Sequence, residues 1–285
     1  MYSTPRGSTL ALRVIFSWLT ERRRKRILAT PLPSEWRGYI ERNVAHFAWL
    51  DDEEQAHLLQ LVHVFAEEKH WEGLGGLELT DEVRATISAQ VCLLILGLDH
   101  DLYRQVESIL VYPSTVLTAP TKPSFFAVAT ALPDQPMPVL GQAFQRGPVI
   151  LVWDHVRSGG IDPRDGRNVV YHEFAHKLDM LSGSADGVPP LADDETYNRW
   201  IEIFTREYEA LQEAKRRRKK TFLDPYALTN GAEFFAVATE HFFEQAVKMQ
   251  RDHTEMYDVL AAFYRQDTAA REKRYRAASS RSRSR

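Results

Sequence analysis

The stretch with the most pointed chemistry is Asn168-Val169-Val170-Tyr171-His172-Glu173-Phe174-Ala175-His176-Lys177-Leu178-Asp179, which contains His-Glu-x-x-His. On a helix, residues four apart share a face, so His172 and His176 can reach one metal ion while Glu173 points beside it at a water on that ion. A Zn²⁺ ion brings the pKa of such a water toward ~7, and a carboxylate within hydrogen-bonding reach can take its proton as the water attacks a carbonyl. That is the chemistry of peptide hydrolysis. The flanking Val169, Val170, Phe174, Ala175 and Leu178 are apolar, so the segment reads as a core helix. Two histidines and a glutamate buried there without partners would be costly, and a metal with its water removes that cost.

A catalytic zinc needs a third protein ligand and an open position. The longer motif that continues with glycine and a further histidine at three-residue steps is absent, because Asp179 and Ser182 stand at those places. Asp179 is read as a residue that orients an imidazole, with direct ligation as the alternative. Downstream, residues 224–240 offer a loop and then a helix rich in alanine and aromatic residues. Glu233, near the start of that helix, is the favoured third ligand, and Glu240, two turns on, is its rival.

Other elements must hold these residues. From Pro31 to Leu98 the apolar spacing is helical, through Trp36, Tyr39, Ile40, Val44 and Phe47 and again through Leu58, Leu61, Val62 and Phe65. Thr80 is the expected N-cap of a helix running to Gly97, where glycine suits the position after a helix end. Cys92 lies in its apolar face and reads as a small buried hydrophobe. His46, His57, His63, His70 and His100 are scattered without ligand spacing. After Tyr103 the texture turns β-rich, with strands expected over Ser108–Tyr112, Phe125–Ala129 and Val149–Trp153.

Composition narrows the class. Lys plus Arg number 36 against 39 Asp plus Glu, a net charge of −3, so no global field draws the chain onto nucleic acid, and no direct nucleic-acid contact is expected. A single cysteine rules out an internal disulfide and a cysteine-rich metal site. It also suits a reducing compartment, and a cytoplasmic location is the expectation. Residues 1–30 read as an amphipathic, basic arm whose apolar run, broken by Arg13, is too short to span a bilayer. Residues 31–265 read as the catalytic domain, and 266–285 as a disordered basic tail. The cationic run Lys215–Lys220 reads as a solvated loop or helix end.

The motif His172–His176, followed by Tyr226 and Glu233 in a Tyr-x6-Glu-Phe-Phe-Ala arrangement, resembles the gluzincin peptidases related to the anthrax lethal factor protease domain. It is most similar to the Mlc titration factor A family, whose blocks resemble Gly76–Asp81, Ala89–Leu98, Ile109–Pro113 and Gln145–Val149 here. The resemblance implies an α+β, zincin-like metallopeptidase fold with an added N-terminal helical region. It implies that His172, His176 and Glu233 bind one Zn²⁺, that Glu173 is the general base, and that Tyr226 donates to the oxyanion. It implies that Val149, Leu151 and Trp153 belong to an edge strand that a peptide substrate joins. Aminopeptidase-like action, and binding of a glucose-responsive transcription repressor that controls sugar uptake, are further implications. The competing expectation is a binding module that sequesters such a repressor around a structural zinc site.

Overall fold

The computed structural model describes residues 20–114 and 147–283; the strand expected over Phe125–Ala129 lies outside them. The described part is a mixed α+β structure in which helices dominate and one small parallel sheet forms a flank. Helix α1 covers residues 20–28, followed by α2 (Ser34–Asn43), α3 (Asp52–Glu68), strand β1 (His70–Gly73), α4 (Asp81–Leu94) and β2 (Ser108–Tyr112). The second half holds β3 (Val149–Val152), α5 (Trp153–Ile161), α6 (Val169–Asp179), α7 (Asp194–Arg216), α8 (Gly231–Glu244), α9 (Ala246–Asp252), α10 (Thr254–Tyr264) and α11 (Thr268–Arg283).

Helix starts follow local chemistry. Asp51 and Glu54 form a reciprocal capping box at α3, Thr80 accepts from Val83 N at α4, and Asn230 accepts from Glu233 N at α8, each satisfying main-chain donors that a helix start leaves over. Helix α4 is buried on every side from Ala85 to Leu94. It packs against α2, α3, α5 and α6, which makes it the axis of the core, and Cys92 sits fully buried within it. The helix stops at Leu94, short of the expected Gly97. That glycine serves a close approach instead, since a Cβ there would lie 2.5 Å from the carbonyl oxygen of Arg265.

The sheet has the order β1-β2-β3 with both pairings parallel. Ile109 pairs with Val149 and Val111 with Leu151, and all four are buried, as parallel strands under helices require. The strand expected over Val149–Trp153 ends one residue early. Trp153 opens α5, so its β-prone side chain belongs to a helix that tertiary packing holds in place.

The expected disordered tail from residue 266 is likewise corrected. Its first part is anchored: Thr268 Oγ1 donates to Phe242 O at 2.7 Å, Arg271 Nε donates to Glu54 Oε1 at 2.8 Å, and Glu272 accepts from Val247 N at 2.9 Å. The expectation weighed apolar content, which is low here, whereas polar partners distant in the sequence order this helix. At the other end, Arg24 is buried between Glu68 (Nε···Oε1 2.6 Å) and Asp101 (Nη1···Oδ1 2.5 Å), so the basic run of α1 is fastened to the domain.

Candidate metal centre

Helix α6 begins at Asn168, whose side-chain oxygen accepts from the N–H groups of both Val170 and Tyr171 at 3.1 Å. Its amide in turn donates to Gln90 Oε1 of α4 at 2.9 Å. The helix is therefore seated from its first turn against the buried axis of the core. Val170, Phe174 and Leu178 are fully buried, and this apolar stripe turns His172, Glu173 and His176 toward α8, against which α6 packs.

Three ligand atoms converge there. His172 Nε2 lies 3.0 Å and His176 Nε2 3.5 Å from Glu233 Oε2, and the two imidazole nitrogens are 3.2 Å apart. A four-coordinate metal with bonds of ~2.0–2.2 Å spaces its ligands ~3.3–3.6 Å apart, close to these separations. Glu233 Oε2 is buried against both imidazole nitrogens. The two imidazole nitrogens face each other at a spacing that a shared metal ion would also fill. His172 Nδ1 sits 3.2 Å from Glu240 Oε2, which holds a proton on that nitrogen and would leave Nε2 to ligate once a metal ion takes the place of the second ring proton. The residues thus fit a metal ion, and this trio is the group among the described residues that can hold one.

The electrostatics agree. Burial alone would lower the pKa of His172, but Glu233 and Glu240 on either side of the ring reverse this and raise it to about 10. Burial would likewise raise Glu233, and the two imidazoles overcome it and hold the carboxyl well below its usual range. The site therefore favours a positive charge between these groups. Burial, with Glu233 and Glu173 near by, pushes the Tyr226 phenol up to about 12, so it stays a proton donor at neutral pH.

The other residues singled out in the sequence lie near this trio or apart from it. Glu173 is half-buried on α6 and near enough to act on the charge of both His172 and Tyr226. Tyr226 lies in the 3-10 turn Pro225–Thr229 ahead of α8, its ring 6.3 Å from that of His172. Glu240, the rival ligand, faces the far nitrogen of His172 and also accepts from Asn168 N at 2.8 Å. The hydrogen bond to an imidazole nitrogen is made by Glu240. Asp179 is buried and both of its oxygens take the N–H of Gly187, at 3.1 and 2.9 Å. Val149 and Leu151 point their side chains into the core, and Trp153 is off the strand.

Sequence reasoning passed over several supports. Lys177 is buried on α6 and donates from Nζ to Gly147 O at 3.2 Å, tying the metal helix to the chain entering β3. Glu244 Oε2 accepts from Gly166 N and Arg167 N, both at 2.9 Å. Asn168, directly before an apolar run, carried a readable capping signal; Lys177 and Glu244 carried none beyond sitting at helical spacing from site residues.

Fold and site together define a helix-rich protein with a two-histidine, one-glutamate centre, the arrangement of metal-dependent hydrolases. The profile of the glucose-regulated metallo-peptidase M90 family matches residues 18–265, so the chain belongs to that family. Among relatives, an uncharacterized protein of Synechocystis sp., slr2042, is 36% identical over 249 residues, covering 87% of this chain and 89% of its own. The Mlc titration factor A of Serratia proteamaculans is 31% identical over 238 residues (81% and 87% of the two chains). That of Pectobacterium atrosepticum is 32% identical over 242 residues (83% and 87%). No described helix is long and apolar enough to cross a membrane.

Proposed function

We propose that this chain is a zinc-dependent metallopeptidase of gluzincin type, its zincin-like domain spanning about residues 31–265, with aminopeptidase-like action on peptides. The observation that carries the reading is the convergence of His172, His176 and Glu233, whose ligand atoms face one another at 3.0–3.5 Å. Two imidazoles and a carboxylate, with no thiol, suit Zn²⁺ in a catalytic setting. When bound, the ion supplies Lewis acidity and makes a water acidic enough to react near neutral pH. Glu173 takes the proton of the attacking water and passes it to the departing amine. Tyr226 donates its phenolic hydrogen to the carbonyl oxygen as charge builds there. Glu240 holds the Nδ1–H of His172, which fixes the ring. A peptide lies along β3 through main-chain hydrogen bonds.

The test is Glu173→Gln, which leaves the three ligands intact. We expect zinc stoichiometry and thermal stability to match the wild type while hydrolysis of a chromogenic amino-acid amide falls by ~10²–10⁴-fold. An unchanged rate would remove the peptidase reading.

A second activity is proposed from the relatives named Mlc titration factor A: this chain binds a transcription repressor in the cytoplasm and thereby takes part in regulating sugar uptake. In the non-catalytic version of this reading the zinc site is structural and sequestration is the whole function. Glu173→Gln separates the two, because repressor binding that survives in an inactive variant assigns binding and hydrolysis to different surfaces.

A further inference from the structure

We infer that Asp179 is a positioning residue that sets where Glu233 meets the two histidines, acting through a glycine-on-glycine contact between Gly187 and Gly231. The inference rests on the metal site proposed above and adds a determinant of its geometry.

The chain of contacts can be followed atom by atom. Asp179 ends α6, one turn beyond His176, and is fully buried. Both carboxylate oxygens accept from Gly187 N, and Val188 N adds to the same tie. Gly187 has φ +89°, in the left-handed region, and a Cβ there would lie 2.2 Å from the carbonyl oxygen of Gly231. Gly231 shows the reciprocal crowding, with a Cβ 2.2 Å from Asp186 O. The two backbones therefore touch with no side chain between them, which only glycine on both sides permits. Gly187 O accepts from the buried Trp200 Nε1 at 3.1 Å, so the loop is braced from α7 as well.

Gly231 is the first residue of α8 and Glu233 the third. Asn230, just before them, holds Glu233 N at 2.9 Å. Any shift of residue 187 is passed by direct backbone contact to the turn that carries the ligand. Among the described residues, this is where the ends of α6 and α8 nearest His176 and Glu233 are joined by a buried polar group. A carboxylate buried against main-chain N–H groups alone is costly: burial pushes Asp179 up to about 6 despite the bonds from Gly187 and Val188. That cost is explained by a role in holding the loop.

The test is zinc affinity of the full chain, measured by competition with a chromophoric chelator, together with the visible spectrum of the Co²⁺-substituted protein as a report on ligand geometry. Asp179→Ala should weaken zinc binding by ~10–100-fold and alter the Co²⁺ spectrum. Asp179→Asn, which keeps an acceptor for Gly187 N, should recover affinity to within a few-fold. Leu58→Ala, a core cavity on α3 far from the clamp, should lower stability and leave affinity and spectrum unchanged. Should Asp179→Ala not fold, Gly231→Ala strikes the same contact from the other helix and should show the same loss. Affinity in Asp179→Ala or Gly231→Ala equal to wild type, or loss matched by Leu58→Ala, overturns the inference and leaves the metal site standing. A wild type that binds neither Zn²⁺ nor Co²⁺ overturns the metal site and this inference with it.

Discussion

The two ends of the α6–α8 pair are fastened by opposite means. At the His172 end, two carboxylates one turn apart on α8 reach across: Glu240 takes Asn168 N and faces His172, while Glu244 takes Gly166 N and Arg167 N. At the His176 end, a single carboxylate, Asp179, holds the loop at Gly187, and two glycines meet backbone to backbone. The first end distributes its load over three main-chain donors and flexible side chains. The second has two backbones in direct contact and leans on the Asp179 and Trp200 bonds to the Gly187 loop. The convergence of His172, His176 and Glu233 thus depends at one end on hydrogen-bond chemistry, which tolerates conservative replacement, and at the other on excluded volume, which does not.

The harshest break of that contrast is Gly187→Ala. The new Cβ would meet Gly231 O and force a left-handed residue to carry a side chain, so we expect a loss of ~3 kcal/mol or more, read as a lower denaturant midpoint. A midpoint within experimental error of the wild type would show that the contact yields freely. Next in size is Glu240→Ala, which strips Asn168 N and His172 Nδ1 of their buried partner. A stability loss of ~2–3 kcal/mol and a ~10–100-fold weaker zinc affinity are expected, with zinc still bound. Glu233→Ala, by contrast, should abolish stoichiometric zinc. Metal analysis of the two variants decides the ligand, and zinc lost only from Glu240→Ala would reverse the assignment.

These differences also explain how far the sequence could be read. The His172–His176 pair was legible because four-residue spacing on one helix needs no knowledge of the rest of the fold. Glu233 and Glu240 were both legible as carboxylates on one face of α8, seven residues apart. Which one meets the ligating nitrogens depends on how α8 crosses α6, and neither helix's own pattern encodes that crossing. The Gly187–Gly231 contact was invisible for a related reason: a glycine in a loop carries no sign of what lies opposite. Helix α11 escaped because Arg271 and Glu54 stand far apart in the chain and near in space, and Trp153 because local β-preference yields to packing.

The smallest expected effect separates charge from shape at the carboxylate end. Glu244 is fully buried, and burial together with the charges of Asp165 and Glu240 raises its pKa well above the usual carboxylate value. Between the ordinary carboxylate range and that raised value, the folded chain holds a proton at Glu244 that the unfolded chain releases. The folded state binds more protons there, so this group's contribution is fully present below the unfolded pKa and is lost as pH rises toward the folded one. Glu244→Gln keeps an oxygen for Gly166 N and Arg167 N and removes the titration. At pH 5 the variant should nearly match the wild type, and at pH 8 it should be more stable by on the order of 1 kcal/mol, measured by urea unfolding at both values. Parallel pH dependence in the two proteins would mean that Glu244 is ionised in the fold, and the carboxylate end would then rest on charge instead of on a neutral acid's hydrogen bonds.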